Sequence, residues 1–403
     1  MSKPKIVVQE KIQLPSGFRA AGEAVGLKRS GRRDMALLVS DQPAAVAGVF
    51  TTNQVQSATV KLNRTRLRGG IARAVIVNSG NANACTGPQG MTDADRMTEL
   101  TGLLLEAPKS QVFVCSTGRI GIPMPMKVIE AGIAKVASEL SARGGKDAAT
   151  AIMTTDTTIK HATVAIKVNG KPVTLCGMAK GSGMIEPKMA TMLAFLLTDA
   201  AVERKSLQAA LKAAADESFN RISVDGDRST NDTTLLLANG AAGNKPLKPG
   251  HPDWATFCAA LNALTLNLAI KMARDGEGAT KLVTVRVCGA KSDADADLAA
   301  RAVANSLLVK TSWVGTYPNW GRIMDSIGYS RAKVVEEQVG ICYNKLLAVK
   351  HGVFAGASTY EQLAKIQEQK EFTITVNLNL GRGAAVIYTC DCTEEYVQIN
   401  YVE

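Results

Sequence analysis

The chain has 403 residues, of which 46% are hydrophobic and 21% are charged. This balance excludes a disordered chain or a coiled coil as a description of the whole molecule. Its 47 basic and 36 acidic residues give a net charge of +11, whereas only 4% of the residues are aromatic. Stacking surfaces for single-stranded nucleic acid are therefore scarce. The excess charge is best explained by solvated loops, with the binding of phosphate or carboxylate groups as the alternative.

The termini, cysteines and histidines favour a soluble, cytoplasmic protein. No window approaches the roughly 20 apolar residues of a membrane-spanning helix, and residues 1–15 have no apolar signal core. Eight cysteines are scattered without a C-x-x-C pair, and His161, His251 and His351 stand far apart. We therefore expect reduced thiols, no metal site and no membrane association, and no histidine stands beside a nucleophile signature.

The predicted elements include strands, helices and hairpins without an obvious internal repeat. In chain order the elements are a strand over 74–77 entering a turn at 78–83, helices over 92–105 and 129–140, a hairpin over 164–175 turning at Asn169-Gly170, a buried strand over 191–197, helices over 206–219 and 254–273, a strand over 283–287, and a strand pair formed by 372–380 and 385–388. Gly144 and Gly145 are expected to end the helix over 129–140.

Hairpins and helix pairs are interleaved, so the pattern predicts an α/β fold of the layered α+β kind and disfavours a doubly wound sheet. Glycine and aspartate interrupt the pattern near residues 279–293. We therefore expect two domains, a larger one over 1–283 and a smaller one over 284–403.

Two segments resemble nucleotide-binding or metal-binding motifs, but each lacks a residue that its motif requires. Gly181-Ser182-Gly183 begins like a dinucleotide fingerprint, but Glu186 stands where the third glycine belongs. Three alternate aspartates at 293, 295 and 297 resemble a calcium loop, but Leu298 replaces its glycine, so a helix N-terminus explains them better. No cofactor is expected.

The segment 179–193, AKGSGMIEPKMATML, is the most informative stretch of the sequence. A flexible glycine loop and a proline precede a small residue, Ala190, whose carbonyl is open to attack by the hydroxyl of Thr191. An N→O acyl shift followed by hydrolysis would leave Thr191 as a new N-terminus. Its α-amino group, with a pKa of about 7.7–8.0, would serve as a general base without any histidine. On the residues alone, an ordinary strand that begins with threonine remains the simpler interpretation.

The same segment resembles the self-cleavage site of the ornithine acetyltransferase family of arginine biosynthesis. Further blocks match that family in order and spacing along nearly the whole chain. They are residues 17–22 (GFRAAG), 49–53 (VFTTN), 78–87 (NSGNANACTG), 115–118 (CSTG), 153–157 (MTTDT), 224–227 (VDGD), 229–232 (STND), 275–281 (DGEGATK) and 318–323 (PNWGRI).

The resemblance implies roles for individual residues. Thr191 would be the nucleophile of both self-cleavage and acyl transfer, with the cut between Ala190 and Thr191. Thr117 and Gly118 would form the oxyanion hole, which stabilises the negative charge on the attacked carbonyl. The substrate would be bound by Thr154, Lys180, Thr191, Glu277 and Asn400.

The implied fold is the autoprocessed Thr N-terminal-nucleophile-like fold of the ornithine acetyltransferase and DmpA-like type. The fragments 1–190 and 191–403 would stay associated, and two such pairs would form a heterotetramer. The implied reaction moves acetyl from N2-acetyl-L-ornithine to L-glutamate by a ping-pong mechanism, with acetyl-CoA as a further donor in some members. No metal or cofactor is implied.

Two departures from the family pattern bear on specificity. Tyr401, Val402 and Glu403 follow Asn400 where the family has terminal hydroxyls, and Lys188 stands where Asn is more usual. Three alternative functions are considered. They are a related Thr-nucleophile amidohydrolase or aminopeptidase, a retuned paralogue with a different acyl acceptor, and a nucleic-acid binder suggested by the charge alone.

Overall fold

The computed structural model describes residues 6–186, 192–356 and 359–401, which form two compact units. Among these residues, unit 1 comprises 6–181, 192–220 and 228–269, and unit 2 comprises 182–186, 221–227, 270–356 and 359–401. The predicted domain ranges 1–283 and 284–403 stay a prediction.

Unit 1 is built on a mixed sheet flanked by helices. Its strands are β1 (Val8–Gln9), β2 (Phe18–Glu23), β3 (Met35–Phe50), β4 (Ile71–Asn81), β5 (Val112–Arg119), β6 (Lys160–Val168), β7 (Lys171–Lys180), β8 (Leu193–Thr198) and β9 (Thr233–Ala238). Its helices are α1 (Ala58–Arg66), α2 (Gly87–Leu104), α3 (Met126–Ser138), α4 (Gly145–Ala151) and α5 (Arg204–Asp216), and α6 (Trp254–Arg274) begins there and ends in unit 2.

Over the described residues, these nine strands form one sheet in the order β1-β6-β7-β8-β9-β3-β4-β5, with β2 pairing β3 at the side. The pairs β4–β5 and β8–β9 are parallel, and the other pairs are antiparallel. Mixed pairing of this kind is typical of a layered α/β fold, so the predicted fold class is confirmed.

Both faces of the unit 1 sheet are buried, because alternate side chains of a strand point to opposite sides. On β4, Val75 and Val77 belong to one apolar cluster, which also contains Phe195 of β8. Ala74 and Ile76 belong to the other cluster, with the helix residue Ile129. The strand β4, which leads into the 78–87 motif, is therefore held by apolar packing on both of its faces.

The hairpin prediction is confirmed, since β6 and β7 pair in register and the turn residues Asn169 and Gly170 have φ angles of 49° and 77°. Two local expectations are wrong. The strand β4 continues to Asn81 through the expected turn, because Gly80 pairs with Gly118 of β5. The helix α3 ends at Ser138, so Gly144 and Gly145 do not end it. Gly144 lies instead against β2, where a Cβ would be 1.8 Å from the carbonyl oxygen of Ala20.

One described helix, α6, is long and apolar enough to cross a membrane if length and composition alone are considered. The sequence expectation that no segment comes close is therefore too strict. In unit 1, Leu261, Leu264 and Leu268 are buried on one face of α6. A Cβ at Gly177 of β7 would lie 2.7 Å from Leu268, so this helix packs directly on the sheet as a core helix does.

Unit 2 is a second sheet with helices. Its strands are β10 (Leu282–Ala290), β11 (Gly340–Tyr343), β12 (Leu346–Lys350), β13 (Val353–Phe354), β14 (Glu371–Asn377) and β15 (Gly383–Cys390). Its helices are α7 (Asp293–Asn305), α8 (Leu307–Val314), α9 (Trp320–Gly328), α10 (Tyr360–Gln367) and α11 (Glu394–Tyr401). The three alternate aspartates lie in the first turns of α7, which Ser292 caps by accepting the N–H of Asp295.

The two C-terminal strands do not pair with each other, contrary to the sequence expectation. Within the described part of unit 2 the order is β13-β12-β11-β14-β10-β15, so β10 separates them. It pairs parallel with β14 and antiparallel with β15. The strand β10, from much earlier in the chain, thus lies between the two strands that the sequence suggested would pair. The residues between 377 and 383 connect β14 to β15 across β10.

Candidate active site

In unit 1, Thr117 and Gly118 lie near the end of β5, opposite Ser79 and Gly80 of the parallel strand β4. Gly118 has a φ of +132°, and a Cβ there would lie 2.4 Å from the carbonyl carbon of Gly80. Only glycine fits this position, because the left-handed backbone and the close strand both exclude a side chain. The two motif loops at 78–87 and 115–118 therefore touch backbone to backbone.

Asparagine side chains hold the strand end that carries Thr117. The Nδ2 of Asn231 donates to the carbonyl oxygens of Ala82 at 2.6 Å and Ser116 at 2.8 Å. The Oδ1 of Asn78 accepts the hydroxyl of Ser116 at 2.6 Å. These groups are buried, so each bond fixes the backbone beside Thr117 with little competition from water.

Lys180, the last residue of β7, reaches this strand end. Its Nζ donates to the Oγ1 of Thr117 at 3.3 Å, and the residue is 8% exposed. Two of the residues named from the sequence, one from each of two distant motifs, are thus in direct contact. A hydroxyl that accepts from an ammonium keeps its own proton for another acceptor.

A buried carboxylate, Asp156, ties together the backbones near Thr154 and Lys180. Its Oδ2 accepts the N–H of Thr154 at 3.0 Å, and its Oδ1 accepts the N–H of Gly181 at 2.7 Å and the Nζ of Lys160 at 2.6 Å. Burial opposes ionisation of Asp156, but the ammonium groups of Lys160 and Lys180 and these hydrogen bonds outweigh it. They hold the pKa of Asp156 below its usual range.

A third lysine, Lys28, contacts the backbone beside Thr154. Its Nζ donates to the carbonyl oxygens of Met153 at 2.6 Å and Arg33 at 2.8 Å. Burial lowers the pKa of Lys28 to about 8, Asp34 opposes this shift, and the charge of Lys180 adds to it. The ammonium groups of Lys28 and Lys180 thus lie close enough to influence one another, with the carboxylates of Asp34 and Asp156 nearby.

The predicted cleavage residues Ala190 and Thr191 lie outside the described residues. On their C-terminal side, in unit 1, the carbonyl oxygen of Met192 accepts the N–H of Thr233 at 2.8 Å. The carboxyl group of Asp232, the residue before Thr233, is buried. Burial raises the pKa of Asp232 well above its usual range, against the opposing effect of its hydrogen bonds.

In unit 2, the segment 182–186 is held by the motif 224–227. The carboxylate of Asp225 accepts the N–H groups of Met184 at 2.5 Å and Ile185 at 2.8 Å. The N–H of Glu186 donates to the carbonyl oxygen of Asp227 at 2.8 Å. Burial raises the pKa of Asp225. The chain that enters the predicted cleavage loop is therefore anchored through its backbone.

Unit 2 also brings together Glu277 and Asn400. The Oε2 of Glu277 accepts the Nδ2 of Asn400, a residue of α11, at 2.8 Å. The N–H of Glu277 donates to the carbonyl oxygen of Ser182 at 2.8 Å. A Cβ at Gly183 would lie 2.4 Å from the Glu277 carboxylate, so this glycine makes room for it.

The described site residues thus form two groups, Thr117, Gly118, Thr154 and Lys180 in unit 1, and Glu277 and Asn400 in unit 2. Sequence reasoning gave no role to Asp156, Lys160 and Asp225, whose side chains organise these groups. Both aspartates stand in blocks that carry the family resemblance. A charged residue within an otherwise small or polar motif was the available signal.

No cluster of three or more His, Cys, Asp or Glu side chains that could hold a metal ion occurs among the described residues. All eight cysteines lie in that part of the chain and are free thiols.

Comparisons with known proteins agree over nearly the whole chain. The model of the ArgJ family matches residues 19–402. The arginine biosynthesis bifunctional protein ArgJ of Geobacter sulfurreducens is 49% identical over 95% of this chain and 98% of its own length. The protein of that name from Caldanaerobacter subterraneus subsp. tengcongensis is 47% identical over 98% of both chains.

A solved structure extends this likeness to the fold. The crystal structure of arginine biosynthesis bifunctional protein argJ from Bacillus halodurans is 45% identical, with a TM-score of 0.51. The match covers 53% of this chain and 100% of that chain. Sequence and structure together show that the chain belongs to the ArgJ family and is an acyltransferase of arginine biosynthesis.

Proposed function

We propose that this chain cleaves itself between Ala190 and Thr191 and then transfers acetyl from N2-acetyl-L-ornithine to L-glutamate through an ester on Thr191. The hydroxyl of Thr191 attacks the acetyl carbonyl while its own α-amino group takes the proton. The amine of ornithine leaves with that proton. The amine of glutamate then attacks the ester, its carbon–oxygen bond to Thr191 breaks, and the proton lost by the glutamate amine passes through the α-amino group to the Thr191 oxygen. Acetyl moves from one amine to another, so no redox step or external energy source is needed.

The observation that carries the proposal is the contact between Lys180 and Thr117. Because the Lys180 ammonium donates to the Thr117 oxygen, the Thr117 proton is directed to another acceptor. We propose that this acceptor is the oxyanion, with the N–H of Gly118 as the second donor. Removing one such donor typically slows a reaction about 10²–10³-fold.

The proposed substrate N2-acetyl-L-ornithine has one carboxylate and one side-chain ammonium. Within unit 1, the ammonium of Lys180 is suited to bind a carboxylate. Within unit 2, Glu277, whose Oε2 accepts from Asn400, is suited to bind an ammonium.

The size of the solved relative supports cleavage. A fragment from residue 191 to residue 403 would contain 213 of the 403 residues. That is 53% of the chain, which equals the share covered by the separately solved Bacillus halodurans chain, itself matched along its full length. A fragment produced by a cut before Thr191 would have this size.

The two fragments are expected to remain associated, and we propose a heterotetramer of two such pairs in the cytoplasm. We expect no nucleic-acid or membrane partner. Acetyl-CoA is a second candidate donor, and the same Thr191 ester would accept its acetyl group.

The main competing function is that of an amidohydrolase or aminopeptidase that uses water as the acceptor. The purified protein would be incubated with N2-acetyl-L-ornithine, with and without L-glutamate, and free ornithine and acetate would be measured. We expect ornithine release to depend on glutamate, with N-acetylglutamate formed in equal amount and little acetate. Glutamate-independent release of ornithine with acetate would identify a hydrolase.

The same assay with other amino acids as acceptors distinguishes a glutamate acetyltransferase from a retuned paralogue with a different acyl acceptor. If the Thr191 fragment becomes acetylated by acetylornithine but glutamate does not remove the acetyl group, the acceptor is different. Intact mass of the fragment after each addition would report both steps.

A further inference from the structure

Unit 1 contains an open cavity with strongly basic walls, and none of its lining residues belongs to the groups of site residues described above. The cavity has a volume of about 570 Å³, which lies within the range of about 300–1,000 Å³ that is usual for small-molecule sites. Four of the lining side chains are cationic, and the other three are apolar or neutral. They are Arg64, Arg68, Arg204 and Lys205, and Val46, Leu67 and Gln208.

The cavity lies where α5 packs against the edge of the unit 1 sheet. The pairing of β3 with β4 ends at Ala45, opposite Ile71. Beyond that point the side chain of Gln208, in α5, pairs with the backbone of β3. Its Oε1 accepts the N–H of Gly48 and its Nε2 donates to the carbonyl oxygen of Gly48, both at 3.0 Å. This pair of hydrogen bonds fixes the first turns of α5, and thus the cavity wall, against the strand.

The guanidinium of Arg204 is held in place by neutral groups. Its Nη2 donates to the carbonyl oxygens of Leu67 at 2.9 Å and Arg68 at 2.6 Å. A Cβ at Gly70 would overlap this guanidinium, so the glycine makes room for it. The Nη1 of Arg204 forms no hydrogen bond with any described residue, and its N–H groups are available to a ligand.

The guanidinium of Arg64 is positioned in a similar way. Its Nη2 donates to the carbonyl oxygen of Thr51 at 2.9 Å, and its central carbon lies 5.4 Å from the centroid of the Phe50 ring. Within the described part of the chain, its Nη1 has no hydrogen-bond partner either. Both arginines are therefore oriented without any loss of their positive charge to a carboxylate.

The four cations of the cavity lack partners of opposite charge. Other exposed arginines of unit 1, such as Arg19 and Arg96, form ion pairs with carboxylates. In residues 6–186, 192–356 and 359–401, no carboxylate forms an ion pair with a cavity cation. Glu203, the acid next to Arg204 in the chain, accepts the hydroxyl of Ser206 at 2.6 Å and does not line the cavity. A concave surface lined by one sign of charge concentrates ions of the opposite sign.

We propose that this cavity binds the diphosphate group of a small molecule. A guanidinium presents parallel N–H donors that match two oxygens of a phosphate group. Two adjacent phosphates also carry several negative charges, which suits four cations better than the single charge of a carboxylate. The apolar side chains of Val46 and Leu67 are suited to contact the carbon part of such a molecule. This binding site is independent of the proposed function.

The shape and lining of the cavity favour a small molecule over nucleic acid. Single-stranded nucleic acid is bound in grooves where bases stack on aromatic side chains. None of the residues that line this cavity is aromatic. A nucleic-acid strand is therefore treated as a competing outcome of the test.

The test is the calorimetric titration of the full-length protein with inorganic pyrophosphate, for wild type and for the double variant Arg68→Gln/Lys205→Gln. Both side chains are exposed, and neither donates a hydrogen bond to a described residue, so the fold should survive their replacement. We expect one binding site in wild type and a dissociation constant that is at least about tenfold higher in the variant, because two charge-assisted contacts are lost.

The matched control is Lys127→Gln/Lys212→Gln, which changes the net charge by the same amount. Both lysines are exposed, Lys127 in α3 and Lys212 in α5, and neither lines the cavity. This variant should bind pyrophosphate like wild type, because salt screens charges at a distance. Both double variants should keep the thermal unfolding midpoint and the glutamate-dependent ornithine release of wild type. If Arg68→Gln/Lys205→Gln unfolds earlier, Lys205→Gln alone is used, and it should still weaken binding.

Titration with ADP distinguishes the sources of the diphosphate group. Binding of ADP that is tighter than that of pyrophosphate identifies a nucleotide, and binding that is no tighter identifies an inorganic diphosphate; both results support the site. The proposal is overturned if pyrophosphate does not bind at millimolar concentration, if the two double variants weaken its binding equally, or if citrate binds as tightly. Binding of a single-stranded oligonucleotide without binding of pyrophosphate would also overturn it.

Discussion

At the scale of single residues, the proposed oxyanion hole depends on the absence of a side chain. Gly118 approaches Gly80 so closely that a Cβ would lie 2.4 Å from its carbonyl carbon. The sequence predicted the importance of Thr117 and Gly118 only through family resemblance. The physical reason, two parallel strand ends in backbone contact, is not visible in a local pattern of four residues.

Gly118→Ala should abolish useful activity, because β4 and β5 would have to separate where the oxyanion donors lie. We expect glutamate-dependent ornithine release to fall at least about 10²-fold. Gly121→Ala is the control, since Gly121 also has a positive φ, of 81°, but a Cβ there meets nothing within 4 Å. It should lose about 1–2 kcal/mol of stability from backbone strain and keep most activity. Equal losses in both variants would contradict this account.

Asn400 tests the proposed recognition of the substrate ammonium. Its amide donates to Glu277 at 2.8 Å, so Asn400→Ala should leave the carboxylate less well oriented. We expect KM for N2-acetyl-L-ornithine to rise about tenfold with kcat nearly unchanged, as expected for one hydrogen bond to a charged group. Gln398→Ala, an exposed position of the same helix, should change neither constant. A fall in kcat alone in Asn400→Ala would assign the residue to another step.

At the scale of elements, local sequence patterns predicted correctly those elements that are determined by residues close together in the chain. The Asn169-Gly170 hairpin was predicted correctly because its turn residues adopt left-handed conformations that few others tolerate. The C-terminal strand pair was predicted wrongly because β10, about 90 residues earlier in the chain, lies between β14 and β15. Likewise, the Lys160–Asp156 pair escaped the sequence analysis, since burial of a charged pair depends on the whole sheet.

The Lys160–Asp156 ion pair should be important for the stability of unit 1. Both side chains are fully buried, so Lys160→Met would leave a buried carboxylate without its partner. We expect the free energy of unfolding to fall by about 3–5 kcal/mol in urea titrations. Arg19→Met, which breaks the exposed pair with Asp41, should cost less than about 1 kcal/mol. A similar small effect in both variants would mean that the buried pair contributes little.

The same pair predicts a pH dependence. The pKa of Asp156 is lower in the folded than in the unfolded chain. Its contribution to stability is therefore complete above about pH 4, the range of an unfolded aspartate, and is lost as the pH falls through the folded value. Wild type should lose stability more steeply below pH 4 than Lys160→Met, as followed by thermal unfolding at a series of pH values. Parallel curves would show that Lys160 does not hold this pKa down.

At the scale of the whole molecule, the order of the predicted elements indicated a mixed α/β chain and the resemblance predicted its family. What composition and periodicity could not provide is the anchoring of the chain around the proposed cut. Within unit 2, the carboxylate of Asp225 holds the backbone of residues 184 and 185, and within unit 1 the N–H of Thr233 holds the carbonyl oxygen of Met192. Asp225 stands in the VDGD block, where the sequence gave it no role.

The net charge of +11 also finds a partial explanation at this scale. Arg64, Arg68, Arg204 and Lys205 line an open cavity of about 570 Å³ in unit 1, so part of the basic charge is gathered around this cavity.

The central claim is that Thr191 becomes a free N-terminus. The most direct test is the intact mass of the purified protein beside Thr191→Ala. The account predicts two fragments in wild type, meeting between Ala190 and Thr191, and a single whole chain in the variant. A wild-type protein that stays whole while transferring acetyl would contradict it, because Thr191 would then keep its amide and have no base of its own.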